Sequence, residues 1–90
     1  MNRAAEKGDA MVVKVLGPGC MNCMTLARRT EEALEQLNID ARVEKVTDYP
    51  AILSYGVLST PGLVIDGAVV SQGRVPTLDA IKELIRNARR

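Results

Sequence analysis

Ninety residues, 47% of them apolar, suffice for one packed domain and leave nothing over for a second. Twelve basic against eleven acidic side chains give a formal charge of +1, which argues against nucleic acid, an anionic membrane or a strongly charged substrate as partner. No apolar run approaches the roughly 18 residues of a membrane helix, and with aromatics at 2%, from Tyr49 and Tyr55, the core has to be aliphatic.

In chain order, Met1 to Asp9 are polar and small and read as a mobile leader; residues 10–90 form the domain. The first ten residues hold no apolar h-region, so no secretory signal is expected and a cytoplasmic location is. Met11–Leu16 is a short, β-branched run bounded by Gly17-Pro18-Gly19 and predicts a central strand, with Lys14 near an edge of the buried surface. From Cys20 to about Leu37 the residues Cys23, Leu26, Ala27, Thr30, Ala33, Leu34 and Leu37 recur at helical spacing, and Asn38 is the stop signal. Ala41–Val46 alternates as a second strand. Thr47 or Asp48 caps a short helix that takes Pro50 in its first turn and ends at Gly56. Gly62–Ile65 and Ala68–Ser71 flank Asp66-Gly67, a strong signal for a tight antiparallel hairpin. Thr77 caps a last helix with an apolar face of Leu78, Ile81, Leu84, Ile85 and Ala88. Arg86, Arg89 and Arg90 complement its carbonyl end. The order β-α-β-α-β-β-α makes the first two strands parallel through a right-handed crossover and adds an antiparallel hairpin.

The reactive chemistry is concentrated in Gly17-Pro18-Gly19-Cys20-Met21-Asn22-Cys23, which holds both cysteines of a chain without histidine or tryptophan. In a helix that starts at Cys20, two cysteines three apart meet on one side of the first turn, within disulfide reach. Cys23 belongs to the apolar stripe and is expected buried. Cys20 lies at the lip, where unpaired N–H groups and the helix dipole lower a thiol pKa. With no His or Lys in the motif, the helix terminus is the expected main cause. This arrangement suits thiol–disulfide exchange, with Cys20 attacking and Cys23 resolving. Gly17 and Gly19 allow sharp turning and leave room for a partner chain.

A different class of function uses the same residues. Met21 and Met24 flank the cysteines, thioethers suit Cu(I), and a soft-metal (copper or zinc) carrier is the alternative. Two cysteines without histidine do not fill a tetrahedral zinc site. An inert pair is the plain alternative.

Beyond the cysteine phrase, Ser59-Thr60-Pro61-Gly62-Leu63-Val64-Ile65-Asp66-Gly67 and Gly73-Arg74-Val75 complete a pattern that resembles the thioredoxin-like superfamily. Its small glutaredoxin-sized redox-active disulfide proteins are the nearest match, and the likeness runs from Met11 to about Ala88. The resemblance implies an α/β, thioredoxin-like mixed sheet of order 2-1-3-4 with helices on both faces, and a protein dithiol–disulfide oxidoreductase. It implies a cis Thr60–Pro61 peptide facing Cys20, where the Thr60 backbone pairs with an extended client segment. Gly19, Met21, Asn22, Thr60 and Pro61 would then contact the client. No cofactor is implied, and the chain is expected to be a monomer. The chain departs from thioredoxins proper in lacking the preceding tryptophan and the Gly-Pro within the motif. Lys14 stands nearest to the position of their buried acid. The Gly-Gly-Asp arrangement that holds glutathione in glutaredoxins is reduced to Gly73, with Asp79 further on, so a thioredoxin reductase or another dithiol protein is the expected reductant.

Overall fold

The computed structural model describes residues 11–88; the leader and the terminal Arg89 and Arg90 lie outside the described residues. Strand β1 (Met11–Leu16) leads through helix α1 (Met21–Gln36) to β2 (Ala41–Val46), which pairs with it in parallel from Met11↔Ala41 to Leu16↔Val46. Helix α2 (Tyr49–Ser54) connects to the hairpin of β3 (Gly62–Ile65) and β4 (Ala68–Gln72), and α3 (Leu78–Ala88) closes the order. The sheet runs β2-β1-β3-β4, with β1 and β3 antiparallel. Fold class and strand order are those expected from the sequence.

Local chemistry sets the boundaries. The first helix begins one residue later than its periodicity predicts, because Cys20 is extended and serves as the N-cap. At the far end Asn38 takes φ 58°, Ile39 N–H donates to Leu34 O and Asn38 N–H to Glu35 O. This pair of bonds around a left-handed residue is a Schellman stop. Asp48, not Thr47, caps α2, its carboxylate accepting from Ala51 N–H at 3.1 Å. In the hairpin Asp66 (φ 49°) and Gly67 (φ 87°) are both left-handed, the conformation a two-residue turn between twisted strands needs. Asp66 does more than turn the chain. Its carboxylate accepts the Val12 N–H at 2.9 Å while its own N–H donates to Val12 O at 2.8 Å, which prolongs the β1–β3 ladder by one step.

Alternation along β1 divides the core. Met11, Val13 and Val15 join Leu26, Ala27 and Leu34 of α1 and Ile81 and Ile85 of α3 in the larger cluster. Leu16 instead joins Ile52, Val57 and Val64 in a smaller one. Helices therefore cover both faces, two on one and the short α2 on the other. Lys14 points to the thinly covered face. It is half-buried there, and its ammonium donates to the Tyr55 hydroxyl at 2.8 Å, lying 5.6 Å from the ring centroid. That hydrogen bond raises the Lys14 pKa. No helix among the described residues is long and apolar enough to cross a membrane.

Candidate functional site

The turn between β1 and α1 brings the two sulfurs together. Gly19 (φ 94°) adopts a left-handed conformation that a side chain would strain, and this delivers Cys20 to the cap position. There the Cys20 sulfur accepts the Cys23 N–H at 3.4 Å, one of the donors that a helix start leaves unpaired. The Sγ–Sγ separation is 2.7 Å, and both cysteines are free thiols. Cys20 is exposed while Cys23 is 5% exposed, so a client can reach only the first.

The two thiols are driven apart in acidity. The Cys20 pKa is lowered, first by the hydrogen bond from the Cys23 thiol and second by the Cys23 backbone N–H. The sequence pointed to the helix terminus as the main cause; the neighbouring thiol comes before it, its sulfur standing 2.7 Å from Cys20 Sγ against 3.4 Å for the Cys23 backbone nitrogen. The Cys23 pKa is raised, first by burial and then by the same thiol–thiol bond. Cys23 therefore keeps its proton and donates it to a Cys20 thiolate.

This ordering has a pH signature. The thiolate is the reactive form, so a higher pKa means slower alkylation at neutral pH. Cys23→Ala removes the leading cause and is expected to raise the Cys20 midpoint toward the ordinary 9.0. Cys23→Ser retains a hydroxyl donor and should raise it less. The alkylation profiles should diverge at neutral pH and converge in alkali, where Cys20 is fully ionised in every variant. Superimposable profiles throughout would remove the thiol–thiol bond as a cause.

The other predicted site residues fall as follows. Met21 is 75% exposed beside Cys20, and Asn22 is exposed too. Thr60 is half-buried and Pro61 buried, and their peptide bond is cis. Pro61 O accepts the Gly73 N–H at 2.9 Å, which ties this turn to the end of β4. Thr60 approaches the cysteine turn from the hairpin side, since a Cβ placed on Gly17 would stand 3.8 Å from the Thr60 Cβ and against Cys23. Leu58, 86% exposed, is an apolar side chain of the same loop that composition alone did not single out.

Beneath Cys23 is a cavity of about 30 Å³ lined by Val15, Gly19, Met24, Lys45 and Thr47 among others. Lys14, taken from the sequence as the nearest counterpart of a buried acid, is on the opposite face of the sheet. Val15 faces the cavity instead, for the reason that neighbouring residues of a strand point oppositely. Val15 pairs with Lys45 across the parallel ladder, and that register, invisible in either segment alone, brings a lysine rather than an acidic residue to the lining of this cavity. Among the described residues no group of three or more His, Cys, Asp or Glu side chains is gathered to hold a metal ion.

The described chain matches the model of a thioredoxin domain family over residues 11–86. It is 37% identical over 75 residues to a thioredoxin of Methanothermobacter thermautotrophicus, covering 83% of this chain and 97% of that one. To a thioredoxin of Methanocaldococcus jannaschii it is 35% identical over 77 residues, covering 86% and 88%. Among solved structures, a mutant thioredoxin from Halobacterium salinarum superposes with a TM-score of 0.66 at 30% identity, over 93% of this chain and 79% of that one.

Proposed function

This chain belongs to the thioredoxin family of thiol–disulfide oxidoreductases, and we propose that Cys20 and Cys23 carry that chemistry in a fixed order. The observation that supports the order most is the pairing of an exposed sulfur with a buried one 2.7 Å away. The Cys20 thiolate attacks one sulfur of a client disulfide. A Cys20–client bond forms, the client S–S bond breaks, and the departing client thiolate takes a proton. Cys23 then gives up its proton and attacks Cys20 Sγ, closing the Cys20–Cys23 bridge and releasing the second client thiolate. Two electrons pass from the dithiol to the client, and an external dithiol returns them. The cycle draws on no cofactor held by the chain.

Client contacts in this reading come from Gly19, Met21 and Asn22 on one side of Cys20. Thr60 and Pro61 provide them on the other, with the Thr60 backbone pairing with an extended client segment as an added strand. The exposed Met21 and Leu58 favour clients with apolar residues flanking the disulfide. The reductant is a dithiol protein such as a thioredoxin reductase. The chain acts as a cytoplasmic monomer in electron transfer, with residues 10–90 as its one working domain. A soft-metal carrier of β-α-β-β-α-β type has a different element order from this one, which ends on a helix.

The direct test is reduction of a protein disulfide with dithiothreitol as electron source, beside a redox titration of the chain itself. Catalytic turnover and a reversible intramolecular bridge are expected. Tight stoichiometric binding of Cu(I) or Zn(II) to the reduced chain, without measurable reductase activity, would replace this reading with the carrier.

A further inference from the structure

Gly17 lies directly under the buried thiol, and its lack of a side chain is unexplained by its backbone. It is not one of the residues with positive φ, unlike Gly19, Gly56, Gly67 and Gly73. A side chain here is compatible with the main chain, so the constraint is space. An ideal Cβ built on Gly17 falls well inside van der Waals contact with Cys23 Sγ and 3.2 Å from Cys23 Cβ. The role expected from the sequence, a turn that leaves room for a partner, is therefore not the one the geometry describes: the room at Gly17 is filled by the chain's own sulfur.

Neither backbone is free to yield. The Gly17 N–H donates to Val46 O at 2.9 Å, which ties the residue to the end of β2. The first turns of α1 are anchored by Leu26 and Ala27, 0% and 4% exposed. Thr60 closes the remaining side of the space, its Cβ 3.8 Å from the built carbon. The group left to move is the Cys23 sulfur, by rotation about its Cα–Cβ bond and away from Cys20.

We propose that Gly17 is a positioning residue for the resolving step, the absent side chain forming the seat that holds Cys23 Sγ against Cys20 Sγ. The proposal rests on the assignment of Cys23 as resolving thiol. Resolution needs the Cys23 sulfur in line with the Cys20–client bond that breaks, and a displacement of about 1 Å from such an arrangement can cost on the order of 10²-fold in rate. The first attack uses the Cys20 sulfur, which Gly17 does not touch, and should lose only the acidity that the Cys23 hydrogen bond supplies.

The test is Gly17→Ala in the full chain, with three readouts. Lifetime of the mixed disulfide with a protein client is expected to rise by about 10²-fold, while alkylation of Cys20 slows at neutral pH no more than in Cys23→Ala and matches wild type in alkali, where the thiol is fully ionised. The redox titration should shift toward a more oxidising potential, since a misplaced thiol closes the bridge less readily; a tenfold loss in the closure equilibrium corresponds to about 30 mV. Thirdly, the drop in denaturation midpoint caused by Gly17→Ala should shrink in a Cys23→Ala background, where the obstructing sulfur is gone. That last comparison stands even if Gly17→Ala alone fails to fold: folding regained with Cys23→Ala supports the seat, and failure in both backgrounds overturns it. An unchanged mixed-disulfide lifetime and potential in a folded Gly17→Ala protein would also overturn it. Failure of the underlying assignment looks different, since Cys23→Ser would then trap no client at all.

Discussion

Cys23→Ser is expected to arrest the cycle after one attack and accumulate a client joined to Cys20. The first step needs only an accessible, acidified sulfur, and the serine hydroxyl can still donate to it. The second step needs a thiol already in place. A positioned intramolecular thiol acts at an effective concentration far above that of a millimolar external thiol, so the mixed disulfide should live at least about 10³-fold longer in the variant. Cys20→Ser should give the opposite picture, with turnover at the uncatalysed background and no trapped client. Its one remaining thiol is 5% exposed and has a raised pKa, so it is both shielded and protonated. Mass measurement of the non-reduced products would decide. Equal trapping by the two variants would cancel the asymmetry, and trapping by Cys20→Ser alone would reverse the roles.

Ile85→Ala should show how separable fold and site are. Ile85 is 0% exposed in the larger cluster, with Ile81 of the same helix and with Leu26, Ala33 and Leu34 of α1. Truncating a fully buried isoleucine removes transfer energy and leaves a cavity, at a cost of about 2–5 kcal/mol. Single domains have about 5–15 kcal/mol in total, so a large share of stability is at stake. For a chain of this length the melting temperature should fall by roughly 10–30 °C. The acidity of Cys20 depends on Cys23 and on backbone N–H groups of the cysteine turn. Its alkylation profile in the folded variant should therefore match wild type. A fall of a few degrees would mean that α3 is not essential to the core. A large change in the Cys20 profile would mean that α3 holds the active turn in place.

Periodicity was the most readable signal. The helical stripe from Cys23 to Leu34 is the buried face of α1, and Asp66-Gly67 is the hairpin turn, since both depend on rules that act over a few residues. Cap choices were harder. Thr47 and Asp48 are both good caps, and only the direction in which the chain leaves β2 selects the one whose carboxylate meets the Ala51 N–H. Tyr55 shows the limit of reasoning about one side chain at a time. Its hydroxyl accepts from the Lys14 ammonium, 41 positions away, and nothing within its own segment announces that partner.

By itself the order of residues determined the secondary elements, their sequence along the chain and the burial of Cys23 beside an open Cys20, because each follows from spacing within one segment. Only the tertiary structure decided what surrounds those sulfurs. Whether Lys14 or Val15 faces Cys23, that Lys45 arrives from the neighbouring strand, and that Gly17 is empty to admit a sulfur are matters of sheet register and packing across elements. Such contacts join residues whose separation along the chain carries no periodic signal, and a one-residue change in register would exchange every one of them.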